Sequence, residues 1–163
     1  MTGAALQLYQ SRGSHEPISQ GDILAGVTCI DASTGPDGQR KTVMVISHGC
    51  EIDKPNANTC YVADVKPLSA IPANGHGSIR QGKVGAVIYL PLNESLGGEY
   101  FVDLRGIYRV QFSQICDTEL RTESNGDRVR VLSDPSIRLA ALSDDGVAVL
   151  QGQLILFFTR KRI

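Results

Sequence analysis

Apolar and β-branched residues in this chain gather in short runs punctuated by glycine, proline and asparagine, the spacing of strands rather than of helices. Ile23 to Ile30 predicts a first strand, and the Gly-Pro-Asp-Gly cluster at Gly35 to Gly38 a turn into the second, Thr42 to Ser47. Pro55, Asn56 and Asn58 mark a loop, and Cys60 to Val65 predicts a third strand closed by Pro67. Residues Ile71 to Gly82, rich in Gly, Pro, Asn and His, read as an exposed mobile loop. Val84 to Leu90 predicts a strand stopped by Pro91, and Phe101–Leu104 and Ile107–Phe112 a pair of consecutive strands. Ser124-Asn125-Gly126-Asp127, between Leu120-Arg121-Thr122 and Val129-Arg130-Val131, is the turn of a short polar hairpin.

Near the C-terminus the period changes. Val147, Leu150, Leu154, Phe157 and Phe158 recur at helical spacing and predict a core-packing helix over about residues 143–160. Ser143 is its candidate N-cap, Asp144 and Asp145 suit the positive end of the dipole, and Arg160, Lys161 and Arg162 suit the other end. Gly152 works against this helix by about 1 kcal/mol relative to Ala. The pattern as a whole predicts a mainly β fold: a small, strongly bent antiparallel sheet covered by one terminal helix.

With 163 residues, the chain has the length of one domain, 1–163. Its 42% hydrophobic and 20% charged residues exclude disordered and fibrous classes. A net charge of -1 argues against coating nucleic acid by charge alone, while leaving a local basic groove open. Met1 to Gln7 has neither the basic flank nor the apolar core of a signal peptide. No apolar run approaches the roughly 20 residues that span a bilayer, so the expectation is a soluble cytoplasmic protein without a membrane partner. Cys29, Cys50, Cys60 and Cys116 are irregularly spaced, which argues against a disulfide framework, and Cys29 and Cys60 read as small buried hydrophobes.

Candidate chemistry concentrates where the strand Val43-Met44-Val45-Ile46 gives way to Ser47-His48-Gly49-Cys50-Glu51-Ile52-Asp53. Reactive groups on a loop held by a rigid strand are placed as binding and catalytic groups tend to be. His48 supplies an imidazole that titrates near neutral pH, and Cys50, Glu51 and Asp53 are candidate binding residues. An alternative is zinc: His48 and Cys50, two apart, share a face if extended, and Cys60, Cys29 or His76 would complete the set. A third option makes Cys50 a nucleophile, with Lys54 or His48 offsetting its acidic neighbours. Asp22 and Asp103 read as turn or capping residues.

The order of these features resembles the PemK/MazF-type growth inhibitors, the toxin halves of toxin–antitoxin modules. The matching pieces are Gln20-Gly21-Asp22-Ile23, the loop reaching Gly38-Gln39-Arg40-Lys41, the strand Val43 to Ser47, Val102-Asp103-Leu104, and Arg138-Leu139-Ala140-Ala141-Leu142-Ser143-Asp144-Asp145. The resemblance implies a small β-barrel with a C-terminal α-helix. It also implies an endoribonuclease that cleaves single-stranded RNA without metal or cofactor, a homodimer, and an antitoxin partner. The family commonly uses an Arg before the second strand and a Ser or Thr at that strand's end. Ser47 matches the latter; Lys41 stands at the spacing of the former, with Arg40 one residue earlier and Thr42 where the family has Pro. The remaining function class is a non-catalytic binding or regulatory barrel for a protein or nucleic-acid partner. Ser69 to Gly82 and the hairpin near Asn125 exceed a minimal barrel and offer it docking surfaces.

Overall fold

The computed structural model describes residues 7–160, and these build a mainly β fold. In chain order the strands are β1 (Tyr9–Gln10), β2 (Asp22–Cys29), β3 (Gln39–Val45), β4 (Thr59–Pro67), β5 (Val87–Asn93), β6 (Gly98–Gln111), β7 (Arg121–Thr122), β8 (Arg128–Val129) and β9 (Arg138–Leu142). The α-helices are α1 (Gly49–Ile52), α2 (His76–Arg80), α3 (Phe112–Ile115) and α4 (Asp144–Arg160). Seven strands form one antiparallel sheet in the order β1-β9-β2-β3-β4-β6-β5, and β7 and β8 pair separately.

The central strands are buried on both faces, which is why they read as near-continuous apolar runs rather than as alternating ones. Val43 and Val45 join Leu24, Val62, Ile52, Phe112 and Ile115 in one core. Met44 and Ile46, one step along the pleat, join Ile23, Ala63 and Val102 in a second core. Leu150 and Phe157 of α4 cover that second core, so the terminal helix seals the sheet as its apolar stripe predicts. Ser143 caps α4, its Oγ accepting from the Gly146 amide at 3.1 Å. Lys161 and Arg162 lie outside the described residues. Among the described residues no helix is long and apolar enough to cross a membrane.

Three expectations need correction. The sheet is open: among the described residues no ladder joins β1 to β5, so the pairing does not close a barrel. Curvature brings those two edges close, and the Tyr9 hydroxyl donates to the Pro91 carbonyl at 2.8 Å. Burial, with Tyr89 nearby, holds the Tyr9 phenol well above its ordinary pKa. A cleft of ≈ 440 Å³ runs beside this seam, lined by Tyr9, Gln10, Arg12, Asn93, Ser95 and Arg138 among others. Second, Phe101–Leu104 and the stretch from Ile107 to Gln111 are not two strands but parts of the single strand β6, and Phe112 opens α3. The register of β6 against β4 shifts between Ala63 and Asp64, so the interruption in the pattern is a bulge. Third, the expected mobile loop at Ile71 to Gly82 contains a 3-10 turn and α2, pinned by Ile79, which is buried with Leu68, Val87 and Phe101.

Asp22 and Asp103 do more than cap turns. Asp22 accepts from the Ser19 amide at 3.0 Å, as a turn residue would, and it is also fully buried against Arg138, whose Nη2 lies 3.0 Å away. Asp103 accepts from the Arg105 amide and Nε and from Lys66 Nζ.

Candidate functional site

The polar cluster begins where the β3–β4 ladder runs out. The Ile46 amide donates to the Tyr61 carbonyl at 3.0 Å, and the Tyr61 amide then donates to Ser47 Oγ at 2.7 Å. A side chain therefore makes the last rung, and the backbone is released from the sheet at residue 47. Ser47 is half-buried, and its oxygen serves the backbone of the neighbouring strand.

His48 follows in extended conformation and caps the single turn α1. The Cys50 amide donates to its Nδ1 at 3.2 Å, which requires a lone pair on that nitrogen. The same Nδ1 lies 3.0 Å from Cys50 Sγ. Both side chains are exposed. Glu51 and Asp53 are exposed beside them, Glu51 paired with Lys54 at 2.8 Å. Desolvation and the nearby Asp127 raise the Asp53 carboxyl above its ordinary pKa, against the opposing charge of Arg130. The exposed ring of Tyr61 belongs to the residue bonded to Ser47.

What holds this loop is a residue the sequence reading left in the hairpin. Arg130 is buried, and it donates from Nε to the Ile52 carbonyl at 2.9 Å. Its Nη2 donates to the carbonyls of Lys54 at 3.0 Å and Ala57 at 2.6 Å. Its guanidinium lies 4.1 Å from the centroid of the Phe112 ring. Ile52 anchors the same turn from below, buried in the first core. The one available sequence signal was an Arg flanked by Val129 and Val131, a cation at a position that strand alternation sets apart from its neighbours.

Lys41 and Arg40 lie at the far end of β3 from Ser47. Ser47 lies six positions after Lys41, roughly 20 Å of extended backbone. Lys41 Nζ is 3.3 Å from Asp64 Oδ1 and 5.2 Å from the centre of the Tyr108 ring. Burial works to lower the Lys41 ammonium, but Tyr108 and Asp64 outweigh it and hold the pKa above its ordinary value. Arg40 is exposed and donates from Nε to the Gly26 carbonyl at 3.3 Å. The fold therefore brings Ser47, His48, Cys50, Glu51 and Asp53 together and places Lys41 and Arg40 elsewhere.

For the zinc alternative, His48 and Cys50 supply two adjacent donors. Cys60 and Cys29 are buried in the core, where burial pushes their thiols up to about 12 and about 11. His76 is engaged with the Ile71 carbonyl at 2.7 Å. Among the described residues no group of three or more His, Cys, Asp and Glu side chains is placed to hold a metal ion. All four cysteines are free.

No protein-family model matches the chain, and no curated protein matches it.

Proposed function

We propose that this chain is a binding module: a PemK/MazF-like β scaffold that uses the loop from Ser47 to Asp53 to recognise a protein partner. The observation that carries the reading is Arg130. Three hydrogen bonds from one buried guanidinium fix the backbone of Ile52, Lys54 and Ala57, while the side chains of the adjoining turn point outward unsheltered. Burying a cation whose hydrogen bonds all go to carbonyls, with only the exposed Asp53 among the described residues as a nearby opposing charge, is costly. A rigid exposed loop is what that cost secures, and rigidity raises affinity by lowering the ordering entropy of binding. Glu51, Asp53 and the exposed ring of Tyr61 suit a partner segment carrying Lys or Arg, through charge and cation–π contact.

RNA cleavage through Lys41 and Ser47 is the weaker reading. Lys41 lies near the start of β3 and Ser47 beyond its end, and both are engaged within the fold. Acidic side chains around His48 also repel a phosphate backbone.

The test is site-specific photo-crosslinking from position 48 in the cells that make the chain. The reading expects a protein adduct through a Lys- or Arg-bearing peptide, lost in Glu51→Lys/Asp53→Lys and kept in the remote control Glu94→Lys. It falls if the adduct is RNA and the purified chain cuts single-stranded RNA in chelator with dependence on Ser47 and Lys41.

A further inference from the structure

Helix α4 turns apolar side chains to solvent, and it does so unevenly along its length. Leu150, Leu154 and Phe157 pack into the second core, while Val149, Ile155, Leu156 and Phe158 are exposed. Three of these four stand in the last six residues of the helix, with Ile155 at 63%. Ile155 and Phe158 flank a shallow depression that Leu154 and Thr159 complete. No charged residue lies between Asp145 and Arg160, so the outer face itself carries no charge. A helix apolar all round is normally covered on all sides.

The fold gathers positive charge at the same end. Gln153 Nε2 donates to the Gly85 carbonyl at 2.7 Å, and the Arg160 guanidinium rests where a Cβ on Gly85 would collide with it. These contacts lay the turn before β5 against the C-terminal half of α4, and Lys83 is two residues from Gly85. Lys83 and Arg160 are exposed, and among the described residues no carboxylate pairs with either. Lys161 and Arg162 follow directly in sequence and add two cations by chain continuity. Asp144 and Asp145 lie at the opposite end of the helix, about 23 Å away along its axis. The chain as a whole has a net charge of -1, so this basic patch is local.

We propose that the C-terminal end of α4 docks on the surface of a bilayer containing anionic phospholipid. Ile155, Leu156 and Phe158 enter the boundary between headgroups and acyl chains, and the cations beside them meet lipid phosphates. Attachment of this kind grows with buried apolar area and with attraction to anionic headgroups, and the two features adjoin here. Other occupants match one feature only. A nucleic acid would meet the cations and leave the apolar side chains wet. A second copy packed parallel sets cation against cation; packed antiparallel, it sets those apolar side chains against the acidic end. The contact is with the membrane surface, since among the described residues no helix is long and apolar enough to cross. This surface is separate from the loop at Ser47 to Asp53, and its test does not depend on the partner proposed for that loop.

The experiment is co-sedimentation of the full chain with vesicles of phosphatidylcholine, alone or mixed with phosphatidylglycerol. The chain binds the mixed vesicles and not those of phosphatidylcholine alone. Lys161→Ser/Arg162→Ser weakens that binding roughly thirtyfold, about fivefold for each charge removed. Ile155→Ser/Phe158→Ser leaves the charge unchanged and weakens it by roughly tenfold or more. Both variants keep the circular-dichroism spectrum of the wild type. The chain has no tryptophan, so Phe158→Trp supplies a single fluorophore. Its emission shifts to the blue on mixed vesicles, whereas that of Ile30→Trp, exposed just after β2, stays put. Absence of binding to mixed vesicles overturns the proposal, as does an equal blue shift at both tryptophans. So does binding indifferent to Ile155→Ser/Phe158→Ser, which is attraction by charge alone. A chain that ignores vesicles and pairs with itself through this face overturns it in favour of a second copy.

Discussion

The guanidinium of Arg130 sits 4.1 Å from the centroid of the Phe112 ring and reaches across the chain to the Ile52 carbonyl, 78 residues away in sequence. This contact ties the segment after β8 to the loop that follows β3. Replacing Arg130 with Met keeps the volume and removes every donor. We expect a loss of about 3 kcal/mol in chemical denaturation, together with faster amide exchange at Asp53 and Ala57. Arg130→Lys should not rescue it, because an ammonium lacks the planar fork that spans these carbonyls.

Ser47→Ala removes the acceptor for the Tyr61 amide at the end of the β3–β4 ladder. The expected cost is about 1 kcal/mol, read as a shifted denaturation midpoint. A change in RNA cleavage without a change in stability would show that the hydroxyl acts in chemistry rather than in the ladder.

Cys50 is exposed, while Cys29, Cys60 and Cys116 are buried and their thiols are pushed up to about 11, about 12 and about 12. The native protein should therefore give one fast equivalent of thiol toward Ellman's reagent at neutral pH and the rest only after unfolding. Cys50→Ser should abolish the fast phase.

Gly106 lies in the bulge of β6, where an added Cβ would collide with the Asp64 carboxylate. That carboxylate also accepts from the Tyr108 hydroxyl at 3.3 Å and faces Lys41. Gly106→Ala should destabilise the fold by about 2 kcal/mol through overpacking. Asp64→Ala combined with Gly106→Ala should recover part of that loss, measured as a double-mutant cycle.

Asp103 gives a dependence on pH. Burial acts to raise its carboxyl, but hydrogen bonds from Arg105 and Lys66 prevail and hold it below the ordinary value. A carboxylate with a depressed folded-state pKa stabilises the fold above its unfolded-state value and loses that contribution as pH falls through the folded-state value. Stability should thus drop below about pH 4. Asp103→Asn should be less stable at neutral pH and show a shallower acid slope in midpoints measured against pH.

Strand positions were legible where packing is local and repetitive. Val43 to Ile46 alternates between two cores, so its apolar run announced a buried strand, and Asn125-Gly126 announced its turn, with Gly126 at φ 89°. Ser143 and the stripe behind it announced α4 to within a residue. Other elements were hidden because their signals are tertiary. β9 is held by its pairing with β1 and β2, and Gly106 disguised one continuous strand as two. At the candidate site the polar residues themselves were visible as a break in pattern. Arg130 was not, because only folding brings residue 130 to residues 52–57. The distance from Lys41 to Ser47 was implicit in the length of β3, yet a motif spacing does not say that its two ends must meet.

The phenol of Tyr9 bridges the rims of the curled sheet where amide-to-amide bonds do not. Neighbouring strands of the open sheet meet through backbone ladders, whereas Tyr9 and Pro91 at its two edges meet through a side-chain hydroxyl. Tyr9→Phe would therefore remove the hydroxyl that links the two edges while leaving every backbone ladder of the sheet intact.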